Sequence, residues 1–163
     1  PYPVEETSVF HRGWPQVPAE WRDATLSAPV QELRELRAAV NKVLEDCRGR
    51  QELGASLEAA VRIEARRPEL QAALSWLSET GDAEVDGLRD WLLVSQLQIG
   101  GEPWAEVLAS QDDELASIEV SRARGTKCER CWHYEGDVGQ HPEHPHICGR
   151  CVGVLERRTH QLA

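Results

Sequence analysis

Cys128-Glu129-Arg130-Cys131 and, sixteen residues later, Cys148-Gly149-Arg150-Cys151 form the stretch on which the reading of this chain turns. Two Cys-x-x-Cys pairs at this separation have the spacing of one tetrahedral zinc site. Each pair can sit on a tight turn and offer both sulfurs to one metal. Bound zinc supplies folding free energy, so a segment of this size can hold a shape with little apolar core. Gly149 suits the second turn, where a positive φ is expected. The competing readings are two disulfides or a thioredoxin-like redox pair, but two matched pairs are far more specific than one. His133, His141, His144 and His146 crowd the same segment and could each replace a cysteine. Four cysteines already complete a closed site, so the histidines read as loop residues. A closed site leaves no position for water, and no metal-assisted chemistry is expected there.

Outward from the cysteines, the chain has 163 residues, enough for one domain or two small ones. It contains six Trp, one Phe, two Tyr and no Met, which reads as a piece of something longer. No secretory signal opens it, and no apolar run approaches the length of a membrane span. The fifth cysteine, Cys47, stands alone, a usage that fits a reducing cytoplasm. Net charge is −10, unevenly spread. Residues 1–120 hold 11 Lys/Arg against 23 Asp/Glu, and residues 121–163 hold 7 against 5. A nucleic acid would therefore meet the cysteine end rather than the acidic part.

The periodicity predicts an α+β chain: an N-terminal helical segment, a small mixed α/β unit, and a C-terminal zinc-ribbon or knuckle module. The expected boundaries are 1–53, 54–123 and 124–163. Residues 1–27 are rich in Pro and Trp and read as extended, with Trp14 and Trp21 as packing anchors. A helix is predicted over 29–48, opened by Pro29 and stopped at Gly49. Val30, Leu33, Leu36, Val40, Val43, Leu44 and Cys47 would share its inner face. Leu57 to Ala65 alternates like a strand with one wet face. Pro68 opens a short helix with Leu70, Ala73, Leu74 and Leu77 inward, and 80–87 is an acidic loop. Trp91 to Ile99 is apolar enough for a central strand, closed by Gly100, Gly101 and Pro103. Trp104 to Ala109 reads as a helical turn, Leu115 to Ala123 as a strand, and Val152 to Gln161 as a helix. Asp112-Asp113-Glu114 is a solvated turn, and no nucleophile or carboxylate pair emerges, so no catalytic residue is expected.

The run Lys127 to Tyr134, then Asp137-Val138-Gly139, His144-Pro145 and Ile147 to Val152, resembles the C-terminal zinc module of bacterial isoleucyl-tRNA synthetases. Upstream, Ser8-Val9 with Trp14-Pro15, Leu36-Arg37 with Val40, Leu44-Glu45, and Gly54 to Ala59 look like the end of that family's anticodon-binding helical domain. The resemblance implies a cytoplasmic, monomeric ligase that joins isoleucine to its tRNA with ATP, this segment lying at the tRNA-binding end. The family's His-Ile-Gly-His and Lys-Met-Ser-Lys-Ser signatures are absent here, so ATP belongs to another domain. The resemblance also implies one zinc on Cys128, Cys131, Cys148 and Cys151, and contact with the anticodon stem-loop of isoleucine tRNA. Trp132 is then a candidate stacking platform and Arg130 a candidate for a base edge or phosphate, with Lys127 and Arg150 in support. Against this stands a Trp132 simply packed over the zinc module. Two other readings remain open at this point: the duplex-DNA finger of a formamidopyrimidine-type DNA glycosylase, and a zinc-ribbon adaptor that binds only protein.

Overall fold

A computed structural model describes residues 8, 10, 14, 16–80 and 87–161. The chain is α+β, as its periodicity predicts. The first long element is α1, Ala24–Gly49, entered through a 3₁₀ turn at Ala19–Trp21. Its true start precedes Pro29. Asp23 is the N-cap: its carboxylate accepts the Thr25 N–H at 2.8 Å, satisfying a donor that the first turn leaves without a partner. Pro29 lies inside the helix, early enough that the missing N–H removes a single intrahelical bond. The inner stripe is as expected, with Leu33, Leu36, Val40, Val43, Leu44 and Cys47 all buried.

The sheet has four strands in the order β2-β1-β4-β3. β1 is Ala59–Ala65, β2 Gln96–Ile99, β3 Ala109–Asp112 and β4 Ala116–Arg122. β1 pairs parallel with β2 and antiparallel with β4, and β3 pairs antiparallel with β4. Between β1 and β2 lie α2, Pro68–Thr80, and α3, Gly87–Leu92. Residues 81–86 of the expected acidic loop fall outside the described set. One face of the sheet, with Val61, Ile63, Ile118 and Val120, packs on α1 and on Leu70, Ala73 and Leu74 of α2. The expected boundary at residue 53/54 thus falls inside one packed core, since Leu36 and Val40 share it with Val61 and Ile118.

Several expectations are corrected. Trp91 is helical rather than the start of a strand, and β2 is a short edge strand, not a central one. The run Trp91-Leu92-Leu93-Val94 is apolar throughout, and such a run fits a buried helix as well as a strand. Here the Trp91 indole N–H donates to the Leu33 carbonyl at 3.3 Å, and Arg37 lies over its ring. Leu93 then leaves the helix with φ +56°. The turn expected at Trp104–Ala109 is not helical, and the next element is β3, whose alternation escaped notice because Ser110, Gln111 and Asp112 are polar on an edge. The first strand starts at Ala59, after a 3₁₀ turn at Ser56–Glu58, and its second face is not wet. Arg62 on that face is 3% exposed, because the Gly101 carbonyl, Glu64 and Glu119 close around its guanidinium. Trp14 and Trp21 do not anchor the core. They are 96% and 74% exposed, and the described part of the core begins at Leu33.

Candidate metal centre and its joint with the sheet

The zinc segment hangs on a two-stranded hairpin. β5, Thr126–Lys127, pairs antiparallel with β6, Tyr134–Glu135, and the first Cys-x-x-Cys forms the turn between them. The Trp132 N–H returns to the Cys128 carbonyl at 2.9 Å, and the Cys128 N–H to the His133 carbonyl at 2.8 Å. This tight return puts Trp132 at φ +68°. A left-handed conformation costs a residue with a Cβ about 1–2 kcal/mol. The second pair opens α4, Gly149–Gln161, which therefore starts three residues before its expected beginning. The Glu129 N–H donates to the His146 carbonyl at 3.0 Å, tying one turn to the other.

All four sulfurs converge, lying within 4.8 Å of one another, and no other such group of possible ligands occurs among the described residues. Cys128 and Cys151 have their sulfurs 3.8 Å apart, Cys131 and Cys148 3.7 Å. A disulfide needs about 2.05 Å. Four sulfurs about 2.3 Å from a tetrahedral zinc stand roughly 3.8 Å from each other, so the cage has the size of that metal. The thiols are unequal. Cys128 is pulled down to about 6: burial opposes its thiolate, but the backbone N–H groups of Cys131, Cys148 and Arg130 favour it. Cys148 is pushed up to about 11, by burial first, and Cys131 is pushed up for the same reason. The four cysteines are positioned to bind a metal, and zinc, which takes thiolates, suits that donor set.

Neighbours outside the cage hold it in place. Asp137 accepts the Gly149 N–H at 2.7 Å and faces His141 Nε2 at 3.3 Å, capping the second turn. Gly149 is required for space rather than for positive φ, correcting the expectation. A Cβ there would stand 2.7 Å from the Asp137 carboxylate and 3.3 Å from His141. Sequence offered no cue to this cap, because twelve residues separate Asp137 from the amide it binds. None of the four histidines joins the cage. His133 is not a loop residue either: it is 7% exposed and lies 4.0 Å from Asp90. Burial, and then the Arg89 charge, hold its imidazole below the ordinary range, so it is neutral at pH 7.

The joint to the sheet is polar and specific. Ser95, fully buried, donates its hydroxyl to the Leu57 carbonyl and accepts the Tyr134 N–H at 2.8 Å. Arg89 pairs with Glu135 at 2.9 Å and donates to the Ser95 carbonyl at 3.1 Å. Gly125 enters the hairpin at φ +100°, where a Cβ would lie 2.5 Å from the Glu135 carbonyl oxygen.

The candidate RNA-facing residues are placed differently from one another. Trp132 is 61% exposed, with Lys127 Nζ 5.5 Å from its ring centroid, so it is not packed over the module. Arg130 donates to Cys151 Sγ at 3.5 Å. Arg150 pairs with Asp90 of α3 at 3.3 Å. Two of the four thus already have partners within the chain.

Residues 125–153 match the family described as a zinc finger found in FPG and IleRS. That description covers two kinds of protein, and the rest of the chain separates them. Over 162 residues, 99% of the chain, it is 85% identical to an isoleucine–tRNA ligase of Parasynechococcus marenigrum (strain WH8102). The chain matches a section of isoleucine–tRNA ligases. It covers 17% of that ligase, and at 72% and 70% identity it covers 16% of those of Synechococcus sp. (strain CC9311) and Prochlorococcus marinus (strain MIT 9313). The identity to these ligases takes in α1, the sheet and the joint as well as the finger.

Proposed function

We propose that the chain is the tRNA-binding section of an isoleucine–tRNA ligase, carrying one zinc on Cys128, Cys131, Cys148 and Cys151. The metal has a structural role: it fixes the two turns that present the finger. The ligase as a whole joins isoleucine to its tRNA with ATP, acting as a cytoplasmic monomer whose chemistry lies outside this section. The observation that carries the reading is Trp132: a large ring, mostly exposed, held out on a metal-ready turn with a lysine beside it. Anticodon loops offer unstacked bases, and proteins read them by stacking on aromatic rings and guanidinium planes. Trp132 would take such a base, and Lys127 a neighbouring phosphate. Arg130, with five N–H donors, can keep its bond to Cys151 and still reach a phosphate. Arg150 stands further back, with its Asp90 pair to hold.

The test is a binding panel of the zinc-loaded, full-length polypeptide against isoleucine tRNA, one non-cognate tRNA and duplex DNA. Preference for isoleucine tRNA is expected. Preference for duplex DNA, or no affinity for any nucleic acid, would contradict the reading.

A further inference from the structure

Away from the zinc finger, the outer face of the sheet carries a groove of about 780 Å³. Ala60 of β1 forms its floor, between its pairing partners Gln96 of β2 and Ser121 of β4. The loop after β2 supplies a wall, including Trp104. That residue is fixed at two points: its backbone N–H donates to Glu119 at 2.9 Å, and its indole N–H donates to Gln98 at 3.1 Å. The end of β4 supplies Arg122 and Arg124. Gln96 clasps the Arg124 backbone from both sides, accepting its N–H at 3.0 Å and donating to its carbonyl at 2.9 Å. The backbone is thus held firmly beneath an exposed guanidinium.

These two arginines differ from most others in the chain. Arg48, Arg50, Arg62, Arg66, Arg67 and Arg150 each face a carboxylate within salt-bridge distance. Arg122 and Arg124 are exposed and pair with no carboxylate among the described residues. They also begin a run of cations, Arg122, Arg124, Lys127 and Arg130, that leads from the groove into the first zinc turn of an otherwise acidic chain. Glu102 and Glu106, from the opposite loop, line the same groove. Guanidiniums on one segment and carboxylates on another suit a ligand with an anionic group and amino-bearing edges. Its volume is in the range of small-ligand sites.

We propose that this groove takes one unstacked nucleotide of the RNA whose loop reaches Trp132. The phosphate lies on Arg122 and Arg124, and the base rests against Trp104. The carboxylates of Glu102 and Glu106 are acceptors for base amino groups, as acidic side chains are for cytosine N4. This inference rests on the RNA reading above and extends it to a second face.

The test uses the full-length polypeptide and isoleucine tRNA, with zinc content and thermal stability checked for every variant. Loss of both arginines (R122A/R124A) should weaken binding about 10-fold. It should also lower the salt dependence by about 1.4 units of slope, at roughly 0.7 per phosphate contact on a single strand. Trp104→Leu should weaken binding by about 5- to 150-fold, the range for one lost base stack. Trp104→Phe keeps a ring while losing the bond to Gln98, and should bind close to wild type. If the arginine and Trp104 variants bind as wild type while Trp132→Gly is impaired, the groove proposal fails and the RNA reading stands. If Trp132→Gly also binds as wild type, both fail. Equal losses on a fully base-paired RNA stem would overturn the unstacked nucleotide.

Discussion

Replacing Ser95 by alanine removes one oxygen from the joint between the sheet and the zinc finger. In the wild-type chain that oxygen serves two partners at once, donating to the Leu57 carbonyl and accepting the Tyr134 N–H at 2.8 Å. Alanine fills almost the same space but leaves both partners unmatched. A buried polar group left without a partner costs about 1–3 kcal/mol. Leu57 and Tyr134 are half-buried, so water offsets part of this, and we expect about 2 kcal/mol in total. Arg89 and Glu135 still bridge the two parts, so the finger should remain attached but looser. Urea unfolding of the zinc-loaded protein, followed by tryptophan fluorescence, measures the loss. Hydrogen exchange gives a second readout: protection at Tyr134 should fall, while that at Ile63 in β1 should not. A loss below about 0.5 kcal/mol, with Tyr134 still protected, would refute the reasoning.

Two other perturbations probe different parts of the chain. Removing the metal with a strong chelator should release residues 125–153 first, together with the contacts of Arg89 and Asp90, and leave α1 and the sheet protected from exchange. Uniform loss of protection would count against a separately stabilised finger. Asp113 holds the turn between β3 and β4, accepting the Leu115 and Ala116 N–H groups at 2.9 and 3.2 Å. The Ala116 bond, then Gln111, pull its carboxyl below the ordinary value. A depressed carboxyl stabilises above its unfolded pKa, and that stability is lost as pH falls through the folded pKa. Asp113→Asn should therefore melt below wild type at pH 7, the gap closing as pH falls through about 4. A gap that stays constant with pH would rule this out.

What was legible in the sequence was local. The stripe from Leu33 to Cys47 and the Cys-x-x-Cys spacing repeat over a few residues, so pattern alone exposes them. What was hidden depends on partners distant in the chain. Arg62 looks like a solvent-facing position in an alternating strand, and only the return of Gly101 and Glu119 buries it. Trp91 carries no mark that separates helix from strand; its bond to Leu33 belongs to tertiary packing. Ser95 is inconspicuous in sequence because both its partners lie 38 or more residues away. The cysteine site was legible as a ligand set, whereas the Asp137 cap and the Arg130 bond to sulfur were not.

The most direct test of the tRNA-binding role is Trp132→Gly in the full-length polypeptide. Glycine accepts the left-handed turn at residue 132 without strain, so the variant removes the ring and spares the knuckle. Zinc content should be unchanged, and so should isoleucine-dependent ATP–pyrophosphate exchange, because no adenylation signature lies in this section. Use of isoleucine tRNA should weaken by about 1–3 kcal/mol, the cost of one lost base stack. Charging of tRNA at the wild-type level by a zinc-loaded Trp132→Gly protein would contradict the central claim.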